Sequence, residues 1–167
     1  MFTLKRNLKI THFVLLMSFL NFLLFHYPFF TFVFNNLDYK SFNGITIIIS
    51  LIILMLVLNA LVFYLIFFLS TYLGKFLLVI FFIISSIAVY FINTYSVIID
   101  ESMIGNILNT KYEESSSFFS IKLLFYVIIF GIIPSIYIIK VKIIEVEWKQ
   151  FLKTISFALL FIFLLVI

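Results

Sequence analysis

Five long apolar runs, at residues 10–34, 45–69, 76–92, 118–139 and 151–167, leave this chain little choice of fold. A helix needs roughly 20 apolar residues to cross the hydrocarbon of a bilayer, and each run is long enough to do so. None of them alternates apolar and polar residues with period two, as a barrel strand would. A helix satisfies its own backbone in lipid, whereas an open strand leaves N–H and C=O groups without partners. Ile and Phe abound and are middling helix formers in water, but the backbone requirement overrides that weak preference. The expected fold is an all-α membrane protein. It would be a single domain over residues 1–167, a bundle of five transmembrane helices with a helical loop at residues 93–117 lying along the interface.

Composition agrees with this. Only 11% of residues are charged and 65% are hydrophobic, where a soluble domain carries roughly 25% charged residues. The net charge of +4 does not suggest nucleic acid, because the basic residues sit at the ends of apolar runs and not on a solvated face. With no cysteine in the chain, disulfide and thiol chemistry are excluded. Lys5, Arg6 and Lys9 precede the first apolar run much as a basic stretch begins a signal peptide. That run is far longer than the roughly 7–15 residues of a cleavable core, and no small-residue cleavage site follows. The expectation is an uncleaved first helix, kinked or ended at Pro28.

Charge also sets the expected sidedness. With five crossings, the N-terminus, the turn around residues 70–75 and the loop at 140–150 fall on one side, with eight lysines and arginines; the other side has three. Excess positive charge marks the cytoplasmic side. The N-terminus should be cytoplasmic, and the C-terminus and the loop at 93–117 should face the opposite compartment. The chain stops inside its fifth apolar run, so a fragment or membrane domain of a longer protein is expected.

The loop holds the candidate chemistry. Asn106, Thr110 and Glu114 fall four residues apart, twice in succession. On a helix that spacing sets an amide, a hydroxyl and a carboxylate on one stripe, drifting by about 40° per step. Met103, Ile104, Ile107 and Leu108 recur at helical spacing and form an apolar face, and Asp100 or Ser102 offers a cap. Such a helix lies along the interface with its apolar side down. A phosphoethanolamine headgroup presents an ammonium and a phosphate. Glu114 suits the ammonium through a charge-assisted hydrogen bond, and Asn106 and Thr110 offer donors and acceptors for the rest. The same stripe also fits an amphipathic connector whose polar side is simply solvated.

Other polar residues have plainer readings. His12 and His26 stand 14 residues apart on the first helix, about 21 Å along its axis, and cannot share a metal ion. Asn21, Asn59 and Asn93 suit hydrogen bonding between helices. Tyr90, Tyr95, Tyr112 and Trp148 suit aromatic belts. Gly131 with Pro134 points to a kink in the fourth helix, and Lys122 to snorkelling. Asp100 and Glu101 diverge by about 100° on a helix and do not form a shared-proton pair. No residue mid-span is charged, which argues against an ion pathway.

The stretch Tyr90-Phe91-Ile92-Asn93-Thr94-Tyr95-Ser96-Val97-Ile98-Ile99-Asp100, followed by Met103-Ile104-Gly105-Asn106-Ile107-Leu108-Asn109-Thr110, resembles the N-terminal membrane domain of the phosphoethanolamine transferases. These are the enzymes that modify lipid A of lipopolysaccharide, the polymyxin-resistance (mobile colistin-resistance) enzymes among them. The likeness continues through Ile132-Ile133-Pro134 and Val141-Lys142-Ile143 and covers essentially the whole chain.

The resemblance implies a multi-pass protein of the bacterial inner membrane, with phosphatidylethanolamine and lipid A as lipid partners. It implies that Asn106, Thr110 and Glu114 help shape the phosphoethanolamine site. It also implies a sulfatase-like periplasmic catalytic domain, absent from this chain, carrying the nucleophilic threonine and zinc. No catalytic residue, metal ligand or cofactor is then expected within residues 1–167, and Thr110 is not that nucleophile. The alternative is a non-enzymatic inner-membrane scaffold or remnant subunit that keeps the lipid-facing fold.

Overall fold

The computed structural model describes residues 7–95 and 120–166, and all statements of structure concern these. The fold is an all-α membrane bundle. Among the described residues four helices are long and apolar enough to cross a membrane, and a pair bent at 62° makes five if it counts as one span.

That bent pair is α1, Ile10–Phe25, and α2, Tyr27–Asn36. The break falls at His26, two residues before Pro28. A proline has no N–H for the carbonyl four residues back and its ring clashes with that carbonyl, so the disturbance is felt upstream. Pro28 itself sits in the first turn of α2, where a missing N–H costs nothing. Residues Ile10, Phe13, Val14, Met17, Ser18 and Asn21 recur at helical spacing and form the buried stripe of α1.

A tight turn follows. Lys40 N–H donates to Asp38 Oδ1 at 3.1 Å, and Ser41 N–H and Oγ both donate to the Asp38 carbonyl. Ser41 Oγ then accepts from Gly44 N–H at 3.0 Å, capping α3, Phe42–Leu69. Gly44 packs its Cα against the Asp38 carbonyl, leaving no room for a Cβ. Ser70 interrupts the chain, and α4, Thr71–Tyr95, runs back alongside α3 with Phe63 and Phe81 in edge contact at 5.7 Å.

Helix α5, Ile121–Lys140, is not uniform. Its centre, Val127–Ile132, widens to π geometry, with Ile133 N–H donating five residues back to Ile128. Pro134 withholds one ladder N–H, and Ser135 Oγ donates to the Gly131 carbonyl at 2.7 Å. Gly131 lets α5 approach α4: a Cβ there would stand 2.9 Å from Ser86 Oγ. The last helix, α6, Trp148–Val166, packs on α3 through Phe151, whose ring stacks on Phe68 at 3.5 Å.

One feature had no signal in the sequence. Strand β1, Asn7–Lys9, pairs in parallel with β2, Lys142–Ile144, tying the segment before α1 to the segment after α5. The main cluster of buried side chains lies just inside this end. Phe13 meets Phe67 edge-on at 5.0 Å, and Tyr64, Phe82, Ile138 and Val141 are buried around them. Much of the outer surface is apolar, with Leu15, Phe76, Ile84, Leu124 and Phe163 exposed as lipid-facing side chains are.

Candidate functional site

The bundle has two chemically different ends. At the β1–β2 end lie Lys9, Lys75, Lys140, Lys142, Lys149 and Lys153. Lys75 is in the second turn of α4, and its Nζ donates to the Ile139 carbonyl at 3.0 Å and the Val141 carbonyl at 2.6 Å. It thereby caps the C-terminus of α5 from a neighbouring helix. Thr71 Oγ1 donates to Glu145 Oε1 at 3.5 Å across the same end. The segments that carry the positive charge are thus held together by contacts, not merely assigned to one side by counting.

The other end is aromatic and hydroxylic. Ser120 caps α5 by accepting from Leu123 N–H at 3.1 Å. Its Oγ also shares a hydrogen bond of 2.7 Å with the hydroxyl of Tyr90 on α4. The Tyr90 ring is 1% exposed and meets Phe91, Tyr95 and Tyr126 edge-on. Tyr90 is therefore a buried strut rather than a belt residue, because its hydroxyl finds a partner inside the protein. Tyr95, Asn93 and Lys122 are exposed around it, and the Thr94 hydroxyl is buried with no partner among the described residues.

Asn106, Thr110 and Glu114 lie in the segment 96–119, outside the described residues, as do Asp100, Glu101 and Tyr112. The structure fixes the two points from which that segment departs and returns, at Tyr95 and Ser120. The strut between them pairs residues 30 apart in sequence, which periodicity could not reveal. Neither a Tyr near the end of one apolar run nor a Ser within the first residues of the next signals such a bond.

The intramembrane polar residues form a separate node at the α1–α2 break. Asn59 Nδ2 donates to His26 Nε2 at 3.4 Å, and His26 Nδ1 lies 3.4 Å from the Asn21 carbonyl. If Nε2 accepts, the ring proton sits on Nδ1 and faces that carbonyl, so one neutral tautomer satisfies both contacts. Ser18 Oγ donates to the Leu56 carbonyl at 2.6 Å, a second bond between α1 and α3. The Asn59–His26 and Ser18–Leu56 bonds are interhelical packing bonds of the kind expected for amides and hydroxyls in lipid, whereas the Asn21 side-chain oxygen is buried with no partner among the described residues and Asn93 is exposed. His12 is exposed, far from His26 along α1. Among the described residues no three His, Cys, Asp or Glu side chains gather as a metal ion requires. The zinc implied by the family resemblance therefore finds no fitting ligand set in them.

Comparison with known proteins agrees with this architecture. Residues 55–167 match the family model described as phosphoethanolamine transferase EptA/EptB. The chain is 32% identical over 140 residues to phosphoethanolamine transferase EptA of Helicobacter pylori, covering 83% of this chain and 26% of that protein. It thus spans about a quarter of the length of that curated relative. Among solved structures it is similar to the integral membrane protein lipooligosaccharide phosphoethanolamine transferase A (EptA) of Neisseria meningitidis. The TM-score is 0.83 at 20% identity, over 96% of this chain and 30% of that one. At that identity the likeness shows the fold, and the fold is that of an integral membrane segment. The chain is a multi-pass membrane protein and belongs to the phosphoethanolamine transferase EptA/EptB family, of which it is the N-terminal membrane domain.

Proposed function

We propose that this chain anchors a phosphoethanolamine transferase in the bacterial inner membrane and helps to hold the lipid headgroup at the outer face. The donor on this reading is phosphatidylethanolamine, and the acceptor is lipid A or another envelope component. The transferring threonine and its zinc belong to a separate periplasmic domain, so residues 1–167 supply no catalytic group.

The observation that carries the reading is the stripe of Asn106, Thr110 and Glu114 in the polar segment between α4 and α5. That segment leaves and re-enters the bundle beside the Tyr90–Ser120 bond, at the end away from the lysine cluster. By the excess of basic residues, the lysine end is cytoplasmic and the segment periplasmic. Glu114 would pair with the headgroup ammonium, and Thr110 and Asn106 would donate to phosphate oxygens. An isolated exposed pair of this kind is weak, but at a dehydrated interface a charge-assisted bond contributes more.

The test is Glu114→Ala in the full-length transferase that carries this chain. Transfer of phosphoethanolamine should fall about tenfold, the loss of one charged hydrogen bond. Membrane insertion and protein level should be unchanged. An unaltered yield of modified acceptor would remove Glu114 from the site and favour the solvated connector.

A further inference from the structure

At the lysine end of the bundle, α1, α3 and α6 enclose a groove of about 650 Å³. Its walls are apolar and include Val14, Leu56, Ala60 and Phe157. It is not uniform along its length. The inner stretch, at Phe19, Phe161 and Leu164, is hydrocarbon except for Ser18, whose hydroxyl is spent on the Leu56 carbonyl, whereas Thr11, Tyr64 and Thr154 line the outer stretch. From Thr11 to Phe19 the rise along α1 is about 12 Å, a depth that takes a lipid chain and not merely a side chain.

Charge bears on what fills it. Lys153 is exposed on α6, and its Nζ stands 6.0 Å from the ring centre of Phe157, a wall residue, so a cation lies beside the groove. Lys149, also exposed, precedes it by four residues, one turn nearer the start of α6. Neither is paired with a carboxylate among the described residues. The hydroxyls of Ser18 and Thr154 on the groove walls satisfy themselves on backbone carbonyls, which leaves the lysines as the polar groups that an occupant can meet.

We propose that this groove binds one anionic diacyl phospholipid of the phosphatidylglycerol type. An acyl chain lies along α1 and α6, and the phosphate meets Lys149 and Lys153. A zwitterionic headgroup is disfavoured because its own ammonium would be brought to two lysines. The site stands at the end of the bundle opposite the Tyr90–Ser120 bond and is independent of the headgroup reading of Asn106, Thr110 and Glu114.

Native mass spectrometry of the protein in mixed micelles tests it, with dioleoylphosphatidylglycerol and dioleoylphosphatidylcholine supplied in equal amounts. One phosphatidylglycerol should be retained per chain, with a preference of about tenfold over phosphatidylcholine, given what basic residues contribute near anionic lipid. Lys149→Gln with Lys153→Gln should bring the two lipids to near parity without altering helix content, since both side chains are exposed. Ala158→Phe fills the groove and should lower retention of either lipid. Equal retention of the two lipids by the unaltered protein would overturn the proposal, as would a preference that survives the double lysine variant. Should Ala158→Phe fail to fold, the lysine variant decides alone.

Discussion

The hydroxyl of Tyr90 and the Oγ of Ser120 lie 2.7 Å apart, joining the end of α4 to the cap of α5. Ser120 at the same time accepts from Leu123 N–H, so one small side chain both starts a helix and fastens it to its neighbour. Tyr90→Phe removes the strut and keeps the ring contacts. It should destabilise the protein by about 1 kcal/mol, the range of hydrogen bonds measured inside membrane proteins. Unfolding by SDS titration in mixed micelles reads this directly. Ser120→Ala should cost more, because the cap goes as well, by about 1 kcal/mol again. If the two variants unfold alike, the cap and the strut are not separate.

The contact of Gly131 with α4 makes a prediction of opposite character, since here it is space that matters. A Cβ on Gly131 would stand 2.9 Å from Ser86 Oγ and 3.3 Å from Ile83 Cα. Gly131→Ala should destabilise by about 1–3 kcal/mol, as overpacking does. Adding Ser86→Ala removes the nearer obstacle and should recover part of that loss, so the two changes should couple in a double-mutant cycle. Strictly additive effects would mean that α5 moves away as a body.

Lys75 carries two backbone carbonyls of the α5 terminus, Ile139 and Val141. Lys75→Met keeps the apolar stem and removes the donor. Hydrogen bonds from charged groups contribute about 1.5–3 kcal/mol in general, and partial exposure puts this pair at the lower end. The expected outcome is lower thermal stability, together with faster protease cleavage in residues 141–147, where the carbonyls of α5 have lost their cap. An unchanged cleavage rate would show that the β1–β2 pairing alone holds this end.

How much of this was visible beforehand depends on the range of the interaction. The apolar runs were plain, because bilayer thickness and backbone satisfaction act on each segment by itself. The helices nevertheless extend past the runs: α3 starts at Phe42 because Ser41 caps it, and α6 starts at Trp148 where Phe68 covers the ring. Proline announced a break in the first run but not its place, since the clash is with a carbonyl four residues earlier. Gly131 and Pro134 signalled irregularity in α5 without specifying π geometry. The β1–β2 pair joins three-residue segments lying more than a hundred residues apart, and no period marks so short a strand. Of the site, the stripe Asn106, Thr110, Glu114 was read from spacing alone, and it falls outside the described residues. The flanking bond between Tyr90 and Ser120 was invisible, because a tyrosine near the end of an apolar run reads equally well as a belt residue.

Sidedness can be measured cleanly because the chain has no cysteine of its own. Single substitutions then report position without background. Lys40→Cys lies in the turn before α3, and Ser116→Cys in the segment carrying the polar stripe. Both should react with a membrane-impermeant maleimide in intact spheroplasts. Asn7→Cys and Gln150→Cys, at the lysine end, should react only after the membrane is opened. The physical ground is that moving the clustered lysines of this end across the membrane is opposed, whereas the other end carries few. The contacts of Lys75 with α5 and of Thr71 with Glu145 make the basic segments a single surface, so they must share one compartment. Labelling of Asn7→Cys without Gln150→Cys would contradict the fold. Labelling of both from outside would leave the fold intact but place the Asn106–Glu114 stripe in the cytoplasm, away from any periplasmic partner, and the headgroup role would have to be abandoned.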